Sequence, residues 1–267
     1  MFEELNTPLP DQSLFLKRMG LSDVKKADLE TLSRLIRAHQ LTVPFENLSV
    51  YDAESEILLD TVSLFDKIVV QRRGGYCFEL NALFMSLLKS VGYDCYPVLV
   101  RVVWMIETYM PVTHRATIVT IDGVRYFVDV GFGGPSPSTA VRLDDTNPQT
   151  SGANDFVFDK APDGDFIIYR LTEKGREQLL KFSDRRCENV DFLAPNEYQS
   201  KNKNAGFKKV RMINISLENG SAAITGNILR IHKDSAVEET VLDTEEKLRQ
   251  ALREHFGIVV DFPLKME

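Results

Sequence analysis

The apolar residues of this chain recur at helical spacing as far as Val91 and at strand spacing from Tyr93 onward, with Gly92 between the two regimes. A chain with that switch is neither all helix nor all sheet; it sets a helical part against a β part. In "LETLSRLIRAHQ", Leu29, Leu32, Leu35, Ile36 and His39 share one helical stripe, and Asp28 stands before them as an N-cap. Pro44 in "LTVPFENL" enforces a break. A further helix begins after Asp60, with Val62, Leu64, Phe65, Ile68 and Val69 at mostly helical spacing, and Gly74 and Gly75 end that stretch. Leu80, Leu83, Phe84, Leu87, Leu88 and Val91 then define a helix from about Cys77 to Val91. Ala82 and Met85 add apolar surface on its other side, so it is expected to be buried almost all round.

Beyond Gly92 the pattern is that of antiparallel strands. "YPVLVRVVW" is rich in valine, and "HRATIVTI" and "VRYFVDV" alternate on either side of the hairpin signal Asp122-Gly123. "DFVFDKAPDGDFIIYRL" repeats the pattern around Asp163-Gly164, so residues 93 to about 190 are expected to be antiparallel β. The polar "PNEYQSKNKNAGF" is expected to be an exposed loop. The last part mixes strands, with a hairpin signal at Asn219-Gly220, and one helix. Asp243 and Glu246 give that helix a D-x-x-E capping pattern, and Leu248 and Leu252 its apolar side.

With 43% hydrophobic residues in 267, the chain has enough apolar material for a packed core. A net charge of −7 argues against a general nucleic-acid binder, while leaving room for a small basic pocket that takes one phosphorylated ligand. The start, "MFEELNTPLPDQSLF", has acids where a secretory signal has bases, and no apolar run reaches the length of a membrane span. Three widely spaced cysteines without a C-x-x-C pair do not read as a disulfide framework or a metal site. These features lead to the expectation of a metal-free protein of the reducing cytoplasm, bound neither to membrane nor to nucleic acid.

One cysteine has a distinctive setting. In "RRGGYCFELN", Cys77 follows two arginines and two glycines and opens the apolar helix. Unpaired N–H groups and the helix dipole favour a thiolate there. The helix end alone supplies about 0.3–1 kcal/mol, whereas a reactive thiolate asks for about 2.7 kcal/mol, the equivalent of roughly two pKa units. A second contribution is needed, most simply a histidinium. The alternative reading is a small buried apolar residue. Of the four histidines, His39 and His255 read as ordinary helix residues, His232 as an ordinary residue following the strand "NILRI", and His114 opens a strand.

The hairpin places a partner for it. With Asp122-Gly123 as a two-residue turn, Ile121 faces Val124, and paired residue numbers sum to 245. Ala116 is then opposite Asp129, and His114 shares their face, with Asp129 as its diagonal neighbour. Asp129 is one acid in the otherwise apolar run "YFVDVGF", and a buried acid needs a partner. Cys77, His114 and Asp129 thus make a candidate nucleophile, base and orienting acid. Residue types alone leave a protease, a transglutaminase, an acyltransferase and a non-catalytic binding module all open.

"VPFENL", "RRGGYCFELN", His114 at a strand start and "VDVGFGG" occur in that order, with 37 residues from Cys77 to His114 and 15 more to Asp129. Together they resemble the arylamine N-acetyltransferase family over residues 5 to about 210. The resemblance implies an α+β fold with a cysteine-protease-like Cys-His-Asp core. Its parts would be a helical bundle (1–91) carrying the nucleophile, an antiparallel β-barrel (92–192) carrying His114 and Asp129, and a C-terminal α/β lid (193–267). It implies acetyl transfer from acetyl-CoA, as a co-substrate not permanently bound, to an arylamine, arylhydrazine or N-hydroxyarylamine through acetyl-Cys77, a ping-pong reaction of xenobiotic metabolism. Phe45 and Phe132 resemble the family's pocket aromatics, Gly131, Gly133 and Gly134 its coenzyme-side loop, and Glu46 and Arg73 an ion pair between two motifs. Tyr76 stands where many relatives have arginine, and residues 104–112, "WMIETYMPV", match no family pattern.

Overall fold

The computed structural model describes all residues except Met1, Glu107, Tyr109, Ser235 and Glu267. Helices α1 (Gln12–Arg18), α2 (Leu29–Thr42), α3 (Leu48–Tyr51), α4 (Thr61–Phe65) and α5 (Cys77–Val91) fill the first third, and strand β1 (Phe45–Glu46) lies between α2 and α3. Next come β2 (Asp94–Val102), β3 (His114–Ile121), β4 (Val124–Val128), β5 (Val141–Arg142), β6 (Gln149–Ser151), β7 (Asn154–Lys160), β8 (Phe166–Thr172) and β9 (Gly175–Phe182). The last part holds α6 (Leu193–Lys201), β10 (Met212–Leu217), β11 (Gly220–Thr225), β12 (Ile228–Lys233), β13 (Ala236–Val241) and α7 (Glu245–Phe256).

Strands β2 to β9 form one antiparallel sheet in the order β5-β4-β3-β2-β9-β8-β7-β6. Its two ends approach each other. Gln149 on β6 accepts from the Arg142 backbone N–H at 2.6 Å and donates to the Arg142 carbonyl at 2.9 Å, so a side chain bridges the gap a ladder would close. The result is a nearly closed barrel, filled by Val98, Val100, Ile118, Phe127, Phe156, Phe158, Phe182 and their neighbours. The other sheet runs β1-β10-β11-β12-β13, with α7 packed on one face through Leu248, Ala251, Leu252 and Phe256. Its first strand comes from the N-terminal third, and its core includes Leu48 from α3.

α5 lies where the helical part meets the barrel. Leu80, Leu83, Leu87 and Leu88 are fully buried, each stabilising by about 1.5–3 kcal/mol. Gly92 ends the helix at φ +104°, a conformation that favours glycine, and returns its N–H to the Leu88 carbonyl.

Four sequence expectations need correction. The polar stretch after Ala194 is not a loop. Leu193–Lys201 is helical with Pro195 in its first turn, and its buried faces are polar: Asn196 accepts from the Tyr76 hydroxyl and donates to the Ile57 carbonyl, and Ser200 donates back to the Asn196 carbonyl. A helix held by hydrogen bonds leaves no apolar period to detect. The hairpin between β10 and β11 turns on Glu218 and Asn219, and Gly220 is the first residue of β11, where a Cβ would lie 1.9 Å from the His232 carbonyl oxygen. Thr244, not Asp243, caps α7, accepting from the Lys247 N–H, while Asp243 pairs with the Lys247 ammonium at 2.7 Å. His232 lies within β12 rather than after it.

Arg18, on α1, is buried and donates to the carbonyls of Thr42 at 2.5 Å, Ile68 at 3.2 Å and Arg72 at 3.5 Å. It thereby ties the end of α2 to the segment that leads into Cys77. Burial and the nearby Arg72 charge pull its pKa down to about 10.

His39 is fully buried between the rings of Phe15 and Phe84, and neither of its ring nitrogens has a partner. Burial, with the Arg18 charge second, lowers its pKa to about 3. Between about pH 6.5 and 3 the unfolded chain therefore takes up a proton that the folded one refuses, so stability falls with acid by about 1.4 kcal/mol per pH unit. His39→Leu removes that slope. Urea unfolding at stepped pH in this window will show the variant losing less stability than the wild type, and parallel curves would refute the assignment.

Candidate active site

Cys77 is the first residue of α5, and its neighbour Tyr76 is the N-cap. The Tyr76 N–H donates to Glu79 Oε2 at 3.0 Å, which fixes the helix start. The thiol is 3% exposed and lies 3.7 Å from the Thr113 carbonyl, one residue before His114. The two glycines before it serve close approach. A Cβ at Gly74 would sit 2.0 Å from the Pro44 carbonyl oxygen, and Gly75 bridges to Phe45, its carbonyl accepting from the Glu46 N–H at 2.9 Å. "RRGG" is thus packed directly on "VPFENL".

The ion pair between these motifs is buried. Glu46 accepts from Arg73 Nε at 3.0 Å and Nη2 at 2.7 Å, and from the Leu48 N–H at 2.7 Å. Lys67, which the sequence did not single out, lies 4.0 Å from Glu46 and 2.6 Å from Glu79. Burial works against the Glu46 charge, yet Arg73 and Lys67 hold its carboxyl below the ordinary range. At Glu79 burial wins and raises it, against the pull of Lys67.

The hairpin register is the one the turn dictates: Ile121 faces Val124, and pairing runs to Thr117 and Val128. The ladder stops one pair short of Asp129, which still points to the His114 side. His114 Nε2 meets Asp129 Oδ2 at 2.6 Å with both residues buried. Burial alone would discharge the imidazole. The charge and hydrogen bond of Asp129, then the hydrogen bond and charge of the Cys77 thiol, overcome it and raise the ring's pKa to about 10. Asp129 thus holds the imidazole at 2.6 Å, one residue after the Thr113 carbonyl that the Cys77 thiol approaches at 3.7 Å.

Asn81, one turn after Cys77 on the same helix, completes the arrangement. Its Nδ2 donates to Asp129 Oδ1 at 2.9 Å and to the Arg115 carbonyl at 2.6 Å, and its Oδ1 accepts from the Val130 N–H at 3.0 Å. Asn81 is the one carboxamide on α5 and is flanked by Leu80 and Ala82; on so largely buried a helix a carboxamide needs partners.

Phe132 meets the His114 ring at 5.7 Å between centroids, edge to face, and Trp104 packs behind Phe132 at 5.9 Å. A narrow cleft brings Phe132 together with Phe45, Gly133, Gly134 and Asn214. Asn214, on β10, donates to the Gly133 carbonyl at 2.9 Å and so joins the C-terminal layer to this loop. Gly131 lies deeper. Its N–H donates to Asp129 Oδ1 at 2.9 Å, and a Cβ on it would stand 3.1 Å from the Cys77 Cα. Tyr76 donates to Asn196 and packs against Phe78 and Phe207. Glu107 and Tyr109, in the unmatched 104–112 segment, lie outside the described residues; next to them Met105 is 82% exposed.

A family profile described as N-acetyltransferase matches residues 28–265. The chain belongs to the arylamine N-acetyltransferase family. Its members are acetyl-CoA-dependent acyltransferases. An Escherichia coli arylamine N-acetyltransferase is 30% identical over 262 residues, covering 92% of this chain and 88% of that one. The structure of the Mycobacterium tuberculosis arylamine N-acetyltransferase superposes with a TM-score of 0.88 at 28% identity, covering 93% of this chain and 94% of the other. That of the Mycobacterium marinum arylamine N-acetyltransferase in complex with CoA gives 0.86 at 28% identity, with 93% of each chain covered. The resemblance carried by four short motifs thus extends across the whole fold, the C-terminal layer included.

Asn81→Ala leaves the Val130 N–H and the Arg115 carbonyl without their partner and frees one side of Asp129. Stability should fall by about 1–3 kcal/mol, and kcat about 10- to 100-fold through misplacement of the imidazole, with the acceptor KM unchanged. Thermal melting and steady-state kinetics on the one variant check both; wild-type kcat would contradict a positioning role.

Proposed function

We propose that this enzyme transfers an acetyl group from acetyl-CoA to the nitrogen of an arylamine, arylhydrazine or N-hydroxyarylamine, with Cys77, His114 and Asp129 as its catalytic residues. The observation that carries the reading is the imidazole held by a buried carboxylate at 2.6 Å, with its pKa raised to about 10, one residue after the Thr113 carbonyl that the Cys77 thiol at the start of α5 approaches at 3.7 Å. A charged imidazole beside the thiol supplies the stabilisation that the helix end alone lacks.

In the first half-reaction the Cys77 sulfur attacks the thioester carbonyl of acetyl-CoA. The tetrahedral adduct expels CoA thiolate, which takes the proton from His114 and leaves as CoASH. Thioester has been exchanged for thioester, so the acetyl-enzyme lies near its precursor in energy. In the second half-reaction the amine nitrogen attacks the acetyl carbon, neutral His114 accepts the nitrogen's proton, and Cys77 departs as thiolate beside the restored imidazolium. Asp129 keeps the ring oriented through both halves.

Phe45 and Phe132 form the aromatic walls for the acceptor ring, and Gly133 and Gly134 offer bare backbone to the coenzyme. Gly131 serves the same loop from below, where its lack of a side chain lets the loop approach Cys77. We place the enzyme in the cytoplasm, where a free thiol persists, acting on small molecules and not on nucleic acid or membrane.

Incubation with acetyl-CoA without acceptor should add one acetyl group to the intact mass, and an arylamine should remove it as the N-acetyl product. Cys77→Ser should show no adduct. Loss of the adduct to water at the same rate with and without amine would instead identify a hydrolase.

A further inference from the structure

Arg115 follows His114 on β3 and is 1% exposed. Its Nη2 donates to Asn189 Oδ1 at 2.7 Å and touches Met85 Sδ at 3.7 Å, and the guanidinium lies 4.4 Å above the Phe192 ring. Its Nε has no hydrogen-bond partner among the described residues. The other buried arginines are compensated: Arg73 by Glu46, Arg211 by Asp52, Arg18 by backbone carbonyls. Arg115 has no such carboxylate among the described residues. Burial pulls its pKa down to about 9, and what opposes this are the thiols of Cys187, Cys77 and Cys95. An unpaired buried cation costs several kcal/mol, so the fold keeps a positive charge for which it provides no counter-ion.

Both side chains that Nη2 touches, Asn189 and Met85, belong to the wall of a surface cavity of about 300 Å³. Asn6, Thr7 and Lys89 supply polar groups to the same wall, and Leu5 and Leu9 add apolar surface beside Met85. Among the described residues no acid lines it and Lys89 is its one charged lining residue, with Arg115 behind it. Asn189 donates to the Leu5 carbonyl at 2.8 Å and to Asn6 Oδ1 at 3.0 Å, which leaves the Asn6 amide nitrogen as a donor. Lys89 lies twelve residues after Cys77 on α5, about 18 Å along the helix, so the cavity is separate from the catalytic cleft.

We propose that this cavity is a second ligand site, for a small organic carboxylate with an apolar body. Lys89 Nζ and Asn6 Nδ2 meet the carboxylate, Leu5, Leu9 and Met85 meet the body, and buried Arg115 supplies the second positive charge. A compact inorganic anion would leave the apolar half of the wall unused.

Calorimetric titration with benzoate tests this on the full chain, with CoA present at saturation so that the catalytic cleft is occupied. Benzoate lacks the amine an acceptor needs. The expected result is saturable binding of benzoate and none of benzyl alcohol, its uncharged counterpart. Lys89→Glu, a surface change, should weaken benzoate at least about tenfold, or about 1.4 kcal/mol. Arg185→Ala, at a different cavity beside Cys187, should leave it unchanged. Absence of saturable binding, equal binding of benzyl alcohol, wild-type affinity in Lys89→Glu, or loss in Arg185→Ala would each overturn the proposal. Binding of inorganic phosphate in place of benzoate would overturn the assigned ligand class.

Discussion

The Asp129 carboxylate is buried, and each of its side-chain partners is a donor from a different part of the site: His114 on β3, Asn81 on α5 and the Gly131 backbone in the loop after β4. A buried charge with that many fixed partners has one low-energy arrangement. It sets the imidazole on one oxygen and the α5 helix on the other. Cys77 and His114 are 37 residues apart and on different kinds of element, and the shared acid fixes the helix that carries the one against the strand that carries the other. The Asp129 main chain is anchored as well: its carbonyl accepts from Ser136 at 3.0 Å and from Gln40 at 3.3 Å.

A second buried charge cluster does the same for the segment that leads into Cys77. Arg73, Glu46, Lys67 and Glu79 alternate in sign, and Glu79 also holds the Tyr76 N–H at the helix start. Removing one member of such a cluster strands the others and costs about 3–5 kcal/mol. Gly74 permits the backbone contact that lets the cluster close. The position of the thiol therefore depends on packing between two motifs that are remote in sequence, and β1 carries the same constraint onward into the C-terminal sheet.

Much of this was legible before any coordinates. The period switch at Gly92 and the Asp122-Gly123 turn are local signals, and they determined α5, the hairpin and its register, hence the shared side of His114 and Asp129. What was not legible depends on contacts between distant segments. α6 has no apolar face because its buried side is hydrogen-bonded, so polarity read as exposure. Asn81 holds the acid and also bonds the Arg115 carbonyl and the Val130 N–H, contacts that no reading of α5 alone contains. Lys67 and Arg115 carry charges whose surroundings no local window contains. The Asn-Gly signal between β10 and β11 is right about the turn and wrong by one residue about its place, because Gly220 is required by the closeness of β12 rather than by its own turn.

The central claim is that the Asp129 carboxylate keeps the His114 imidazole charged through neutral pH. Titration of the His114 ring by NMR, in the wild type and in Asp129→Asn, tests it most directly. The wild-type ring should stay protonated from about pH 6 to 8, whereas the variant's should lose its proton below about pH 7, as a buried imidazole without a carboxylate does. A wild-type ring that titrates at about pH 6.5, coinciding with the variant's, would contradict the account.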